Sequence, residues 1–131
     1  MVNLPTKISW FLGIEAIAFA AAALIHYGVA LPGHAHLKAA VAESVIALVL
    51  AAALALSRAH AGCPRKLGIA AQAFALLGTC VGLFTIMIGI GPQSAGDLAF
   101  HGVIVCVLAW GLFVAWRGTR GARLGHPETK P

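Results

Sequence analysis

Three histidines and a carboxylate fall within eighteen residues of one another: His26, His34, His36 and Glu43, in the stretch "HYGVALPGHAHLKAAVAE". Further along, Asp97 and His101 lie four residues apart, one helical turn. Imidazoles and carboxylates that project from facing helices are the means by which helical bundles build metal sites. His26, His101 and Glu43 together would make a two-histidine, one-carboxylate set suited to Zn or Fe, and imidazole also suits Cu. Asp97 would serve as a fourth ligand or as the acceptor that orients His101. His34 and His36 would shuttle protons or metal to such a site. The same two histidines, His26 and His101, could instead be axial ligands of a b-type haem, with Lys38, His34 and His36 meeting the propionates. Haem ranks below a small ion, because Glu43 beside a porphyrin would have to be protonated.

A second polar group sits deeper in the chain's apolar stretches. Glu15 and His26 are eleven residues apart, a rotation of only about 20° and a rise of about 16 Å on one helix. They therefore share a stripe, through Phe19 and Ala22, but cannot bind the same ion. Glu15 falls in a layer with Gln72, whose amide can donate to a carboxylate, and Thr79 extends that stripe. This pair is read equally as a proton relay or as a hydrogen bond that locks two helices together. A plain structural reading exists for the histidines too, since histidine near a helix end often caps carbonyls or sits in solvent. His60 and His126 are given no role. No HExxH, no GxSxG and no phosphate-binding glycine loop is present, so no catalytic residue is assigned and an enzymatic activity is left open.

The elements that must position these residues follow from composition. Of the 131 residues 60% are hydrophobic and 10% charged, and the mean hydropathy is +0.92. Soluble domains carry about 25% charged residues, so this is the composition of an integral membrane protein. Four apolar stretches approach the roughly 20 residues a helix needs to cross the hydrocarbon. They are placed at Ile8–Ala30, His36–Arg58, Lys66–Ile90 and Gly96–Trp116. The expected fold is all-α: a four-helix transmembrane bundle running up-down-up-down over residues 1–117, followed by a flexible basic tail over 118–131. Three of the four acidic residues, Glu15, Glu43 and Asp97, fall in these spans or at their edges. A buried Asp at mid-bilayer costs on the order of 3 kcal/mol, so such residues normally face a partner or a cavity inside the bundle.

Charge sets the expected orientation. Lys7, Arg58, Arg65, Lys66, Arg117, Arg120, Arg123 and Lys130 all fall on one side, and Lys38 alone on the other. The excess of positive charge predicts cytoplasmic termini and middle loop, in a bacterial inner membrane, with the His/carboxylate pocket facing the periplasm. Trp10 and Trp116 are placed as interfacial aromatics at the cytoplasmic side. The net charge of +5 is spread as a topology signal and gives no support for nucleic-acid binding. The first span could be mistaken for a cleaved signal, but Glu15 lies within it and it continues directly into a second full span.

The connections "LPGHA" and "GPQSA" are short and carry Pro and Gly, which predicts two tight hairpins. "GIEAIAF" at 13–19 resembles "GIAAQAF" at 68–74, a faint repeat that brings Glu15 close to Gln72 in register, two positions apart. Small residues, including Gly78-x-x-x-Gly82, allow close helix approach within a bundle or across a homodimer. Of the three cysteines, Cys63 falls in the middle loop. Cys80 and Cys106 fall mid-span, where they could pair as soft ligands for Cu(I) but are read first as small buried apolar residues.

The stretches "AALIHYGV", "KAAVAESVIALVL", "GIAAQAFALLGT" and "HGVIVCVLAWGLFVAWR" resemble a group of small bacterial four-span membrane proteins. The resemblance covers nearly the whole chain and implies the architecture but no activity. The architecture also resembles that of DoxX-like four-helix proteins, with no shared motif residues. The expected function is a membrane protein that binds a transition metal, or below that haem, for redox or metal handling. Two alternatives are a proton-coupled carrier acting as an oligomer, and a non-catalytic accessory subunit of a larger membrane complex. In every case the lipid bilayer is a partner.

Overall fold

A computed structural model describes residues 3–60 and 63–123, with side chains placed to residue 117. The described residues form four helices: α1 (Leu4–His26), α2 (Leu37–Ala59), α3 (Pro64–Met87) and α4 (Ala95–Arg123). All four are long and apolar enough to cross a membrane. The chain thus fits a multi-pass integral membrane protein. Their outward faces carry large apolar side chains, among them Ile17, Leu48, Leu77 and Val103, each at least 65% exposed. Such a surface is stable only against lipid or another apolar partner. Trp10 and Trp116 are both outward-facing, at the end of the bundle that carries the termini.

The helix ends explain where the spans differ from the hydropathy reading. Asn3 caps α1 by accepting the Thr6 amide at 3.0 Å, and Pro5 lies in the first turn, so the helix begins four residues before Ile8. It stops at His26 rather than Ala30, because Gly28 turns the backbone at φ +75°. The His36 amide then donates to the His26 carbonyl at 2.7 Å, which ties the two ends of the first hairpin directly together. The second hairpin turns at Gly89, φ +79°, and is pinned by Gln93, which donates to the Ile86 and Gly91 carbonyls at 2.8 and 3.0 Å. α4 runs on past Trp116 to Arg123, so the first part of the expected tail is helical. The remainder of that tail, with His126 and Lys130, lies outside the described residues.

Sequential neighbours pack against each other and α4 returns to α1. Of the two diagonals, α1 and α3 approach closely, whereas among the described residues α2 and α4 make no close backbone approach. The core threads Ile8, Leu12, Phe19, Ile46, Leu50, Ala75, Ile104 and Leu108. Glycines set the spacing. A Cβ on Gly68 would come within 2.5 Å of Ile8, and one on Gly78 within 2.9 Å of Ile46. Gly78 and Gly82 therefore serve packing within the chain, Gly78 toward α2 and Gly82 toward α4.

The cysteine expectation is corrected. Cys80 and Cys106 are both exposed on the outward faces of their helices, and so is Cys63 at the start of α3. Neither mid-span thiol is a buried core residue. The helical phase that points Gln72, Ala75 and Thr79 inward turns Cys80 out, and the phase of Ile104 and Leu108 does the same to Cys106.

Candidate functional site

Helical phase and the two hairpin turns bring the four expected residues to one end of the bundle. His26 is the last residue of α1, 3% exposed, and sits between two carboxylates from other helices. Its Nδ1 lies 2.7 Å from Glu43 Oε2 on α2, and its Nε2 lies 2.9 Å from Asp97 Oδ1 on α4. His26, Glu43 and Asp97 form one hydrogen-bonded chain across three helices. Glu43 comes inward on the stripe Ala40, Glu43, Ile46 and Leu50. Asp97 is held by the start of α4. Its Oδ2 accepts from the Ser94 amide at 3.1 Å and from the Ser94 hydroxyl at 2.6 Å, while the Asp97 amide donates back to Ser94 Oγ at 3.1 Å. This reciprocal cap leaves Oδ1 free to face His26.

Proton counting fixes what this chain can hold. Carboxylates accept only, so His26 can donate to both neighbours only as imidazolium. The alternative is a neutral ring that donates to one acid and accepts from the other, which then carries a proton. Both arrangements contain two protons, and they differ by the movement of one proton along one short hydrogen bond.

His101 joins the layer, but not as expected. Asp97 does not orient it through its carboxylate. The His101 Nδ1 lies 2.8 Å from the Asp97 backbone carbonyl, one turn back on the same helix. A carbonyl can only accept, so Nδ1 carries a proton, and Nε2 is a lone-pair acceptor in the neutral form of the ring. That nitrogen abuts Gly82 of α3, where a Cβ would stand 3.0 Å away.

Two cavities flank the chain. One, of about 180 Å3, lies in the open space along the α2–α4 diagonal and is lined by Glu43, His101, Thr79, Gly82, Phe19 and Ile46, among others, with His36 and Lys38 at the hairpin end. The other, of about 370 Å3, lies between α1 and α4 and is lined by His26, Asp97, Ser94, Phe100, His34 and Leu31, among others. Glu43 borders the first cavity, and His26 and Asp97 border the second. The hydrogen-bonded chain therefore joins one to the other. His34 is exposed in the wall of the second. His36 caps α2 by accepting the Ala39 amide at 3.3 Å, and its ring meets that of His26 edge-on at 6.4 Å. Neither ring hydrogen-bonds to the side chain of His26, Glu43 or Asp97 among the described residues.

The deeper layer brings Glu15 and Gln72 into contact. Glu15 and Gln72 are fully buried, and the Gln72 amide donates to both Glu15 oxygens at 3.0 and 3.2 Å. They meet on the close α1–α3 diagonal. Thr79 is buried one heptad above and returns its hydroxyl to the Ala75 carbonyl at 2.7 Å. Sequence reading missed Gly111. A Cβ there would overlap Gln72 Nε2 and stand 2.9 Å from Glu15 Oε1 and 3.1 Å from Phe11. α4 is thus bare where the polar pair needs room.

No three His, Cys, Asp or Glu side chains among the described residues form a group able to hold a metal ion. His26, the centre of the expected ligand set, has both ring nitrogens committed to carboxylates. No family model, no curated protein and no solved structure matches the chain. The fold and the polar layers define a class, a four-helix multi-pass membrane protein with ionisable groups inside the bundle.

Proposed function

We propose that this protein handles protons within the membrane, as the proton-binding part of a small carrier acting as an oligomer. The observation that carries this reading is the position of His26, buried and hydrogen-bonded at both ring nitrogens to carboxylates from two other helices. Ionisable residues inside transmembrane bundles are rare and mark substrate and ion paths and proton relays. The three groups span from one cavity to the other, so a proton received at Asp97 displaces one toward Glu43 without any helix moving. His34, in the wall of the second cavity, would pass protons to Asp97. The Glu15–Gln72 pair would be a second, deeper station, and Phe19, fully buried between the layers on α1, would separate the two. With only four helices, a complete solute path would need more than one copy of the chain.

The metal reading rests on the same convergence of His26, Glu43, Asp97 and His101. It asks His26 to exchange a carboxylate for an ion, whereas the proton reading uses the hydrogen bonds as they stand. A b-type haem held by His26 and His101 asks for the same exchange, and for His101 Nε2 to leave Gly82. The test is a proton count. Purified protein in lipid nanodiscs is shifted from mildly alkaline to mildly acidic medium with an indicator dye. The wild type should take up at least one proton per chain more than His26→Gln. Equal uptake by the two would overturn the reading, and uptake that is abolished by added Zn would turn it toward the metal alternative.

A further inference from the structure

The chain of hydrogen bonds uses one oxygen of Glu43. The other, Oε1, is buried and has no hydrogen-bond partner. The Glu43 side chain is 7% exposed and lines the 180 Å3 cavity between α2, α3 and α4. His101, which the proton chain does not use, lines the same cavity, with its Nε2 beside Gly82 of the same wall. An orphaned carboxylate oxygen in a low-dielectric site costs free energy until a donor reaches it. Proton placement does not remove that need, because in either arrangement of the chain the proton near Glu43 sits on the Oε2 side.

No other polar group of the wall reaches Oε1 among the described residues, since the donors Lys38 and His36 stand at the hairpin end. Thr79 gives its hydroxyl to the Ala75 carbonyl, and Thr85 gives its own to the Gly82 carbonyl at 2.7 Å. The deep end of the cavity is therefore a cluster of acceptors, and the rest of the wall is largely apolar: Phe19, Ile46, Val81, Ile86 and Ile90. Such a site calls for an O–H or N–H donor on an apolar body. Charge narrows the choice. The hairpin end of the cavity carries Lys38, which repels a cation, and the acceptors within repel an anion. Size narrows it again, because an apolar cavity of about 150 Å3 holds one benzene ring.

We infer that this cavity binds an uncharged aromatic hydroxyl compound, of the phenol class, with its one O–H donated to Glu43 Oε1, its oxygen toward His101 and its ring among the isoleucines. Such a molecule partitions into lipid and would enter from the bilayer past Val81, whose side chain is exposed on the outer face of α3. This inference goes beyond the proton reading. It shares Glu43 with it but requires no proton movement through His26.

The test uses para-fluorophenol followed by fluorine NMR with the full-length protein in nanodiscs, and empty nanodiscs to subtract partitioning. Saturable one-to-one binding is expected. Fluorobenzene, which lacks the hydroxyl, should bind at least about tenfold more weakly, the worth of a hydrogen bond to a charged group. Gly82→Ala sets a methyl against His101 Nε2 and should weaken para-fluorophenol by a similar factor, with the circular dichroism and the proton count of the wild type retained. Three results would overturn the inference: no saturable binding, equal binding of fluorobenzene, or tighter binding of para-fluorobenzylamine, which would mark a cation site. If His26→Gln loses no protons yet the phenol still binds, the proton reading fails alone.

Discussion

Replacing His26 by alanine should destabilise the bundle by about 3–5 kcal/mol, the cost of removing one partner from a buried ion pair. The imidazole hydrogen-bonds to both Glu43 and Asp97, and its loss leaves two carboxylates facing one gap without it. The check is reversible unfolding in mixed micelles. The triple variant His26→Ala, Glu43→Gln, Asp97→Asn should recover more than half of the loss, because it removes the stranded charges while keeping the volume of both acids. A histidine that merely sits at the interface would cost no more than about 0.5 kcal/mol. A loss that small, or a triple variant weaker than the single one, would contradict the buried chain.

The second large effect is expected at a residue with no chemistry of its own. Gly111→Ala adds one methyl where Gln72 Nε2, Glu15 Oε1 and Phe11 already stand. Elsewhere in a helix the same change gains about 0.5–1 kcal/mol from backbone entropy. Here it should cost about 1–3 kcal/mol through overpacking, and part the Glu15–Gln72 pair. Gly102→Ala is the control, because nothing lies within 4 Å of the added Cβ, and it should be neutral or stabilising. Combining Gly111→Ala with Gln72→Ala should cost less than the two single losses added, since the two sites are in contact and their effects couple. Additive losses would mean that the glycine makes room for something other than the polar pair.

These two residues also show where sequence reasoning reaches and where it stops. Glu15, Glu43 and Asp97 stand out because a charged residue in an apolar run must find an interior partner, and helical periodicity alone then places Glu15 and His26 on one stripe. In the structure Glu15 and His26 both lie on the buried side of α1, and the Gln72 amide donates to Glu15. Gly111 was not legible, because a glycine in an apolar helix says nothing until the opposite helix is in place. That the Asp97 carboxylate does not orient His101 has a local reason. Four residues separate it from Asp97, and at that spacing the ring reaches the carbonyl of the earlier residue. The Asp97 carboxylate meanwhile turns to the helix start and to His26. The cysteines were misplaced because apolar residues surround the whole circumference of these helices, so hydropathy gives little phase. Only the scattered polar residues mark the inward side. The early start of α1 was present in "NLPTK" as an Asn cap with Pro following, and hydropathy windows pass over such signals.

The most direct test of a proton-handling chain is the protonation of His26 itself. Heteronuclear NMR on protein labelled at histidine, assigned with His26→Gln, reads whether each ring nitrogen carries or shares a hydrogen. Both His26 nitrogens should show bonded hydrogens, each coupled to a carboxylate, and Zn should leave the signals in place. One bare nitrogen that shifts on adding Zn would contradict the proton chain and make His26 a metal ligand.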